Sequence, residues 1–224
     1  MNSQVEAEST DFDWLIYSSA TLAGLAALIP FPIISGRAER YFRMRMLPSI
    51  AARRNVTAHP RANKVINHTR FDLPDNVRGC LFWPAGVVID LALRFSRKVL
   101  YFLAVKNAVD SLSYYWQRAY LLDHMVQQGY VSDPALLRPA SAALEDVLDR
   151  HSDSPLNSLA RQVIGGSYGA LRNMGSWFRS SAPEVTLRPR EIMNESWDAY
   201  AGYFRSLREE YEASLRQRLP QQAS

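Results

Sequence analysis

The chain has little cysteine and few histidines. Cys80 is the single cysteine among 224 residues, so an intrachain disulfide and a thiolate metal cluster are both excluded. Its apolar neighbours favour a packed side chain. His59 and His68 lie nine residues apart in a proline-punctuated stretch and lack a carboxylate or thiolate at ligand spacing. We therefore predict no metal and no cofactor.

The short motifs of catalytic and nucleotide-binding sites are also missing. The chain contains no G-x-S-x-G, no H-E-x-x-H, no Walker loop and no dinucleotide fingerprint. His124 and His151, near Asp123 and Asp149, are the only candidate acid–base groups, and a surface position fits them better. The sequence favours a protein without catalysis. An enzyme acting on a lipid-like substrate is a less favoured alternative.

Charge is absent from residues 14–36, which read WLIYSSATLAGLAALIPFPIISG. Residues 1–36 contain four acids and no base, whereas residues 37–70 contain nine Lys or Arg and one acid. A helix of about 20 apolar residues crosses a bilayer, and basic residues mark its cytoplasmic end. We therefore expect residues 14–36 to insert in a membrane, with the bulk of the chain cytoplasmic.

Two features of this stretch leave other interpretations open. Pro30 and Pro32 interrupt it, and the clean helical part, Trp14 to Ile29, has only 16 residues. A re-entrant hairpin, the buried first helix of a soluble bundle and an interfacial helix all fit. The small residues Ala20, Ala23, Gly24 and Ala27 recur at helical spacing and predict close approach of another helix.

A proline-containing turn precedes the predicted charged helix. Its sequence is Leu25-Ala26-Ala27-Leu28-Ile29-Pro30-Phe31-Pro32. It resembles the Ile-Pro-x-Pro helical hairpin of poorly characterised bacterial membrane-associated families of the YcjF-like type, over residues 20–54. In those families an acidic residue usually follows the Ile-Pro-x-Pro turn. This chain has Ile34-Ser35 at that place instead. The resemblance implies membrane association and no functional residues.

A basic amphipathic helix is predicted over residues 37–54, with Pro48 as a kink or an end. Such helices lie on membranes, because Lys and Arg attract anionic head groups. The candidate contacts with the anionic leaflet are Arg37, Arg40, Arg43, Arg45, Arg53 and Arg54. The same charges would neutralise nucleic-acid phosphates. A soluble interaction module that binds nucleic acid through residues 37–70 is therefore the alternative.

Helical spacing dominates the rest of the chain, and no alternating run long enough for a strand-rich domain is present. We predict an all-α bundle of six or seven helices with an N-terminal apolar helix or hairpin. The predicted divisions are an acidic disordered tail (1–13), a membrane-associated segment (14–54), a linker (55–78), the bundle (79–219) and a tail (220–224).

The predicted final helix starts at Pro189 and runs to about Leu219. Its apolar side chains recur in steps of three and four, as in a coiled-coil seam. They form a candidate face for a protein partner or a second copy of the chain. The face consists of Trp197, Tyr200, Phe204, Leu207 and Tyr211.

Overall fold

The structure is a computed structural model that describes residues 12–28, 32–67, 97–151, 154–171 and 183–219. Over these ranges the chain is all-α and has no strand, which confirms the predicted fold class. The helices are α1 (Trp14–Leu25), α2 (Pro32–Arg53), α3 (Ala62–Ile66), α4 (Arg97–Gln127), α5 (Leu137–Arg150), α6 (Leu156–Leu171), α7 (Pro183–Ser196) and α8 (Ala201–Arg218). Short 3-10 turns cover Ala26–Leu28 and Trp197–Tyr200.

Helix α4 is the axis of the bundle. It packs against α1, α2, α5, α6 and α8. Leu112, Trp116 and Leu122 are fully buried along it. The helix ends at Gln127, and Gly129 follows with a φ of 76°, a backbone conformation that glycine adopts without strain.

Helix α1 lies inside the bundle, between α2 and α4. Ile16, Ala20 and Leu25 are buried to 1% exposure or less. The Thr21 hydroxyl accepts a hydrogen bond of 2.9 Å from the indole Nε1 of Trp116, which links α1 to α4 through a buried polar pair. No helix within the described ranges is long and apolar enough to cross a membrane. Insertion of residues 14–36 stays a prediction.

Helices α1 and α2 form an antiparallel pair, because Asp13 at the start of α1 forms an ion pair with Arg53 at the end of α2. Pro48 lies inside α2 and does not end it. A proline leaves the carbonyl four residues earlier without its helical donor. Asn63 Nδ2 of α3 supplies the donor instead, at 3.1 Å from the Met44 oxygen.

Residues 55–67, predicted as part of a linker, pack on the bundle. Ala62 and Ile66 of α3 are buried, and the His59 amide donates to the Val131 carbonyl at 2.9 Å. Helices α1 and α2 share one core with α4, so the described parts of the predicted segment 14–54 and bundle 79–219 are not separate units. Residues 68–96 lie outside the described residues.

The C-terminal region differs from the predicted single helix. Helix α7 begins at Pro183, six residues before the predicted start, and Pro189 lies within it. The chain then passes through the 3-10 turn Trp197–Tyr200 into α8. Proline is favoured in the first turn of a helix, but a proline does not by itself determine where the helix begins. Here the helix begins at the earlier proline, Pro183.

Candidate functional site

One face of α2 combines positive charge with exposed apolar side chains. Arg37, Arg40, Tyr41, Met44 and Arg45 recur at steps of three, one, three and one, and all five are exposed. We call these five residues the α2 strip. Residues three and four apart lie on the same side of a helix. The strip is therefore one continuous surface about 12 Å long, at ~1.5 Å per residue.

The opposite face of α2 holds the strip in place. Met46, Leu47, Ile50 and Ala51 are buried against the core, each at 6% exposure or less. This burial fixes the rotation of α2, because turning the helix would expose those side chains to water. The strip is thus directed outward by the packing of its own helix.

Tyr41 and Met44 are unusual because large apolar side chains are rarely left in water next to one another. Tyr41 is 53% exposed and Met44 is 37% exposed. The Arg45 guanidinium lies over the Tyr41 ring, 5.2 Å from its centroid, and also donates a hydrogen bond to the Tyr41 hydroxyl. The pair presents a cation and an aromatic ring in a fixed arrangement.

Three of the six predicted arginines do not belong to this surface. Arg43 is only 14% exposed, and its Nε lies 3.4 Å from Glu39. Arg53 forms an ion pair with Asp13. Arg54 donates to both carboxylate oxygens of Asp123, at 2.8 and 2.7 Å, and this hydrogen bonding raises the pKa of Arg54.

Two of these ion pairs join residues that are far apart in the chain. A sequence shows how many charges a helix carries, but the partners Asp13 and Asp123 lie 40 and 69 residues away. Arg53 and Arg54 are exposed but paired with acids, so Arg37, Arg40 and Arg45 are the members of the predicted set that lie beside Tyr41 and Met44. Arg37 and Arg40 form no ion pair with any described residue.

The predicted partner face on the last helix is also corrected. Trp197, Phe204, Leu207 and Tyr211 are each at 1% exposure or less, and Tyr200 is partly buried. Helices α4 and α5 cover this seam. These side chains belong to the core of this chain and are not open to another molecule. A protein partner or a second copy stays a prediction, without a contact surface formed by these five residues.

The candidate acid–base histidines hold the last helix in place. His124 Nε2 lies 2.6 Å from Glu212, and His151 Nε2 lies 3.0 Å from Glu210. Neither histidine uses the aspartate that neighbours it in sequence. The described residues contain no group of side chains suited to hold a metal ion.

A buried arginine was missed by the sequence reasoning. Arg118 of α4 is fully buried, donates to Glu145 at 2.9 Å and to the Ile66 carbonyl at 2.7 Å, and also reaches the Tyr114 hydroxyl. Burial raises the pKa of Tyr114 despite this neighbouring charge. The cluster joins α3, α4 and α5, and its place in the core indicates a structural role.

Comparison with known proteins adds no relative. No family profile, no curated protein and no solved structure matches this chain. The resemblance to the YcjF-like hairpin therefore stays a prediction.

Proposed function

We propose that this chain is a non-catalytic helical protein that binds the anionic surface of a membrane through the α2 strip, with its body on the cytoplasmic side. One observation carries the proposal. Among the described residues only three large apolar side chains are notably exposed, and two of them, Tyr41 and Met44, lie within the strip among its arginines. Interfacial helices combine these features.

The two kinds of side chain would act together. Each Lys or Arg near an anionic leaflet contributes about 1 kcal/mol to binding. Tyrosine settles at the boundary between head groups and acyl chains, because its ring is apolar and its hydroxyl is polar. Arg37, Arg40 and Arg45 would attract the surface, while Tyr41 and Met44 would enter its outer layer.

In this proposal α1 stays in the bundle. Insertion of residues 14–36, the expectation from the uncharged stretch, would require the core around Ile16, Ala20 and Leu25 to open. Burying one large aliphatic side chain contributes about 1.5–3 kcal/mol. Removing α1 from the bundle would therefore lose several such contributions, which would be regained only when its side chains contacted lipid. A peripheral contact through α2 avoids this cost.

The test is sedimentation of the full-length protein with phosphatidylcholine vesicles that contain or lack phosphatidylserine. The triple variant Arg37→Gln, Arg40→Gln, Arg45→Gln should bind the anionic vesicles about 100-fold more weakly, since three charges contribute about 3 kcal/mol. Binding of the wild type should also fall steeply with added salt.

A matched control removes the same charge elsewhere. Arg161, Arg188 and Arg205 are exposed on α6, α7 and α8, none of which contains a strip residue. Their triple replacement by glutamine gives the same net charge and should leave vesicle binding almost unchanged. Equal loss in both triple variants would reject the strip as the binding surface and indicate a response to net charge alone.

A second candidate function is binding of nucleic acid through the same arginines. The stacking of Arg45 on Tyr41 favours it, because single-stranded nucleic acids bind where cations and aromatic rings alternate. The variant Met44→Ser separates the candidates. It should weaken vesicle binding and leave binding of an oligonucleotide unchanged, since a phosphate backbone gains nothing from a thioether.

Insertion is tested separately by a carbonate wash of cell membranes that carry the full-length protein. Release of the protein into the wash agrees with a peripheral contact. A fraction that resists both carbonate and high salt would instead support insertion of residues 14–36.

A further inference from the structure

A second surface feature lies at the other end of α2. It is a groove of about 430 Å³ where the start of α1, the end of α2 and helix α7 meet. Small-molecule sites begin at roughly 300 Å³, so the groove can take a compact ligand. Its relevant walls are Phe12, Trp14, Leu15, Arg53, Arg190 and Asn194.

The groove is held by contacts to the core. The Phe12 ring stacks on Tyr17 with centroids 5.7 Å apart and lies 5.2 Å from the ring of buried Trp197. Asp13 accepts from the Leu15 amide at 3.0 Å, which caps α1, and its other oxygen binds Arg53. These contacts fix the aromatic wall and one of the two guanidinium groups before any ligand arrives.

An unpartnered apolar group lies in this groove. Leu15 is 56% exposed, more than Tyr41 or Met44. The position is in the first turn of α1, beside the partly buried Trp14. A ligand that covered Leu15 would remove this apolar area from water.

The described residues that line the groove carry a net positive charge, with two arginines and one aspartate. That aspartate, Asp13, is already engaged by Arg53 and by the α1 cap. Arg190 is exposed and forms no ion pair within the described residues. Asn194 lies four residues later on α7, hence on the same side of that helix, and adds an amide donor. Guanidinium groups bind carboxylates through two parallel hydrogen bonds.

We propose that this groove binds a small amphipathic carboxylate, an organic acid with an aliphatic tail. The carboxylate is received by Arg190 and Asn194, and the tail covers Leu15 and the edge of Trp14. The site is separate from the α2 strip and does not depend on membrane binding. It would make the protein a binder of an acidic lipid-derived small molecule.

The test is calorimetric titration of the full-length protein with decanoate below its micelle concentration. Decanamide, which has the same tail without charge, and acetate, which has the charge without a tail, should both bind much more weakly. Binding of decanoate should weaken about tenfold or more in Arg190→Gln, because a charged hydrogen-bonding partner is lost. Leu15→Ser should weaken it several-fold through loss of the apolar contact.

Arg188→Gln is the matched control, since Arg188 is exposed on the same helix two residues away and does not line the groove. It should bind decanoate like the wild type. Because Arg190 and Leu15 are exposed, neither variant removes a core contact, and circular dichroism checks that both are folded. Absence of decanoate binding, or binding unchanged in both groove variants, would overturn the proposal.

The two proposals fail independently. Groove variants that lose decanoate binding should keep their binding to anionic vesicles, and the triple variant of the strip should keep its binding to decanoate. Loss of both activities in one variant would indicate a single shared surface and would reject a separate site.

Discussion

At the scale of single residues, Gly24 has the least room for a side chain among the described glycines. A β-carbon added there would lie 2.7 Å from the Leu112 Cα, a backbone atom that cannot move aside cheaply. Helices α1 and α4 therefore touch almost backbone to backbone at this point. Gly36 of α2 is exposed and has nothing within 4 Å of the same position, so it provides a natural comparison.

We expect Gly24→Ala to destabilise the protein by about 1–2 kcal/mol in urea unfolding. Overpacking costs about 1–3 kcal/mol, and the higher helix propensity of alanine returns up to ~1 kcal/mol. Gly36→Ala receives only the propensity gain and should be neutral or slightly stabilising. If the two variants were equally stable, α1 would not pack on α4 as described.

The sequence predicted this contact in outline, and it could not have predicted Arg118. Small residues at helical spacing on α1 signal a close neighbour whatever that neighbour is. The burial of Arg118 depends on Glu145, 27 residues away, and on the Ile66 carbonyl, 52 residues away. Nothing near Arg118 in the chain distinguishes it from a surface arginine such as Arg138.

At the scale of elements, helix α8 shows what periodicity alone can determine. The steps of three and four correctly marked which side chains of α8 share an apolar face. The prediction that this face meets a partner failed because α4 and α5 of the same chain already cover it. A repeating pattern identifies the buried side of a helix but not the molecule that buries it.

We expect Leu207→Ala to lower the free energy of unfolding by about 2–5 kcal/mol, since Leu207 has no exposed area and its removal leaves a cavity. Ser206→Ala, one residue earlier and exposed, should change stability by less than about 0.5 kcal/mol. Thermal or urea unfolding of both variants gives the comparison. A Leu207→Ala variant as stable as the Ser206→Ala control would restore this seam as a free interaction face.

At the scale of the whole molecule, the described helices share one core in which aromatic side chains join distant parts of the chain. Trp197 contacts the rings of Tyr17, Trp116 and Phe204, which come from α1, α4 and α8. The expectation of an anchor followed by an independent body rested on the charge step near residue 37. The charge pattern indicates which residues meet water or lipid head groups. It does not show which helices share a core. The aromatic contacts do, and one of them joins Tyr17 to Trp197, 180 positions apart.

This shared core predicts that the whole bundle unfolds when tyrosines ionise. Burial is the leading cause that raises the pKa of six tyrosines, and nearby carboxylates raise it further for several of them. The six are Tyr17, Tyr114, Tyr115, Tyr130, Tyr203 and Tyr211. In an unfolded chain tyrosine ionises near pH 10, so above about that pH the unfolded state loses protons that the folded state keeps.

This difference in bound protons determines how the free energy of unfolding changes with pH. Stability is fully present below about pH 10 and falls as pH rises further, because each buried tyrosine favours the folded state only while it stays protonated. We therefore expect helical circular dichroism and tyrosinate absorbance to change together in one steep step above pH 10. The urea-unfolded protein, measured as the control, should ionise gradually around pH 10. Gradual ionisation of all eleven tyrosines in the folded protein, with its helices intact, would show that these side chains are not buried in a common core.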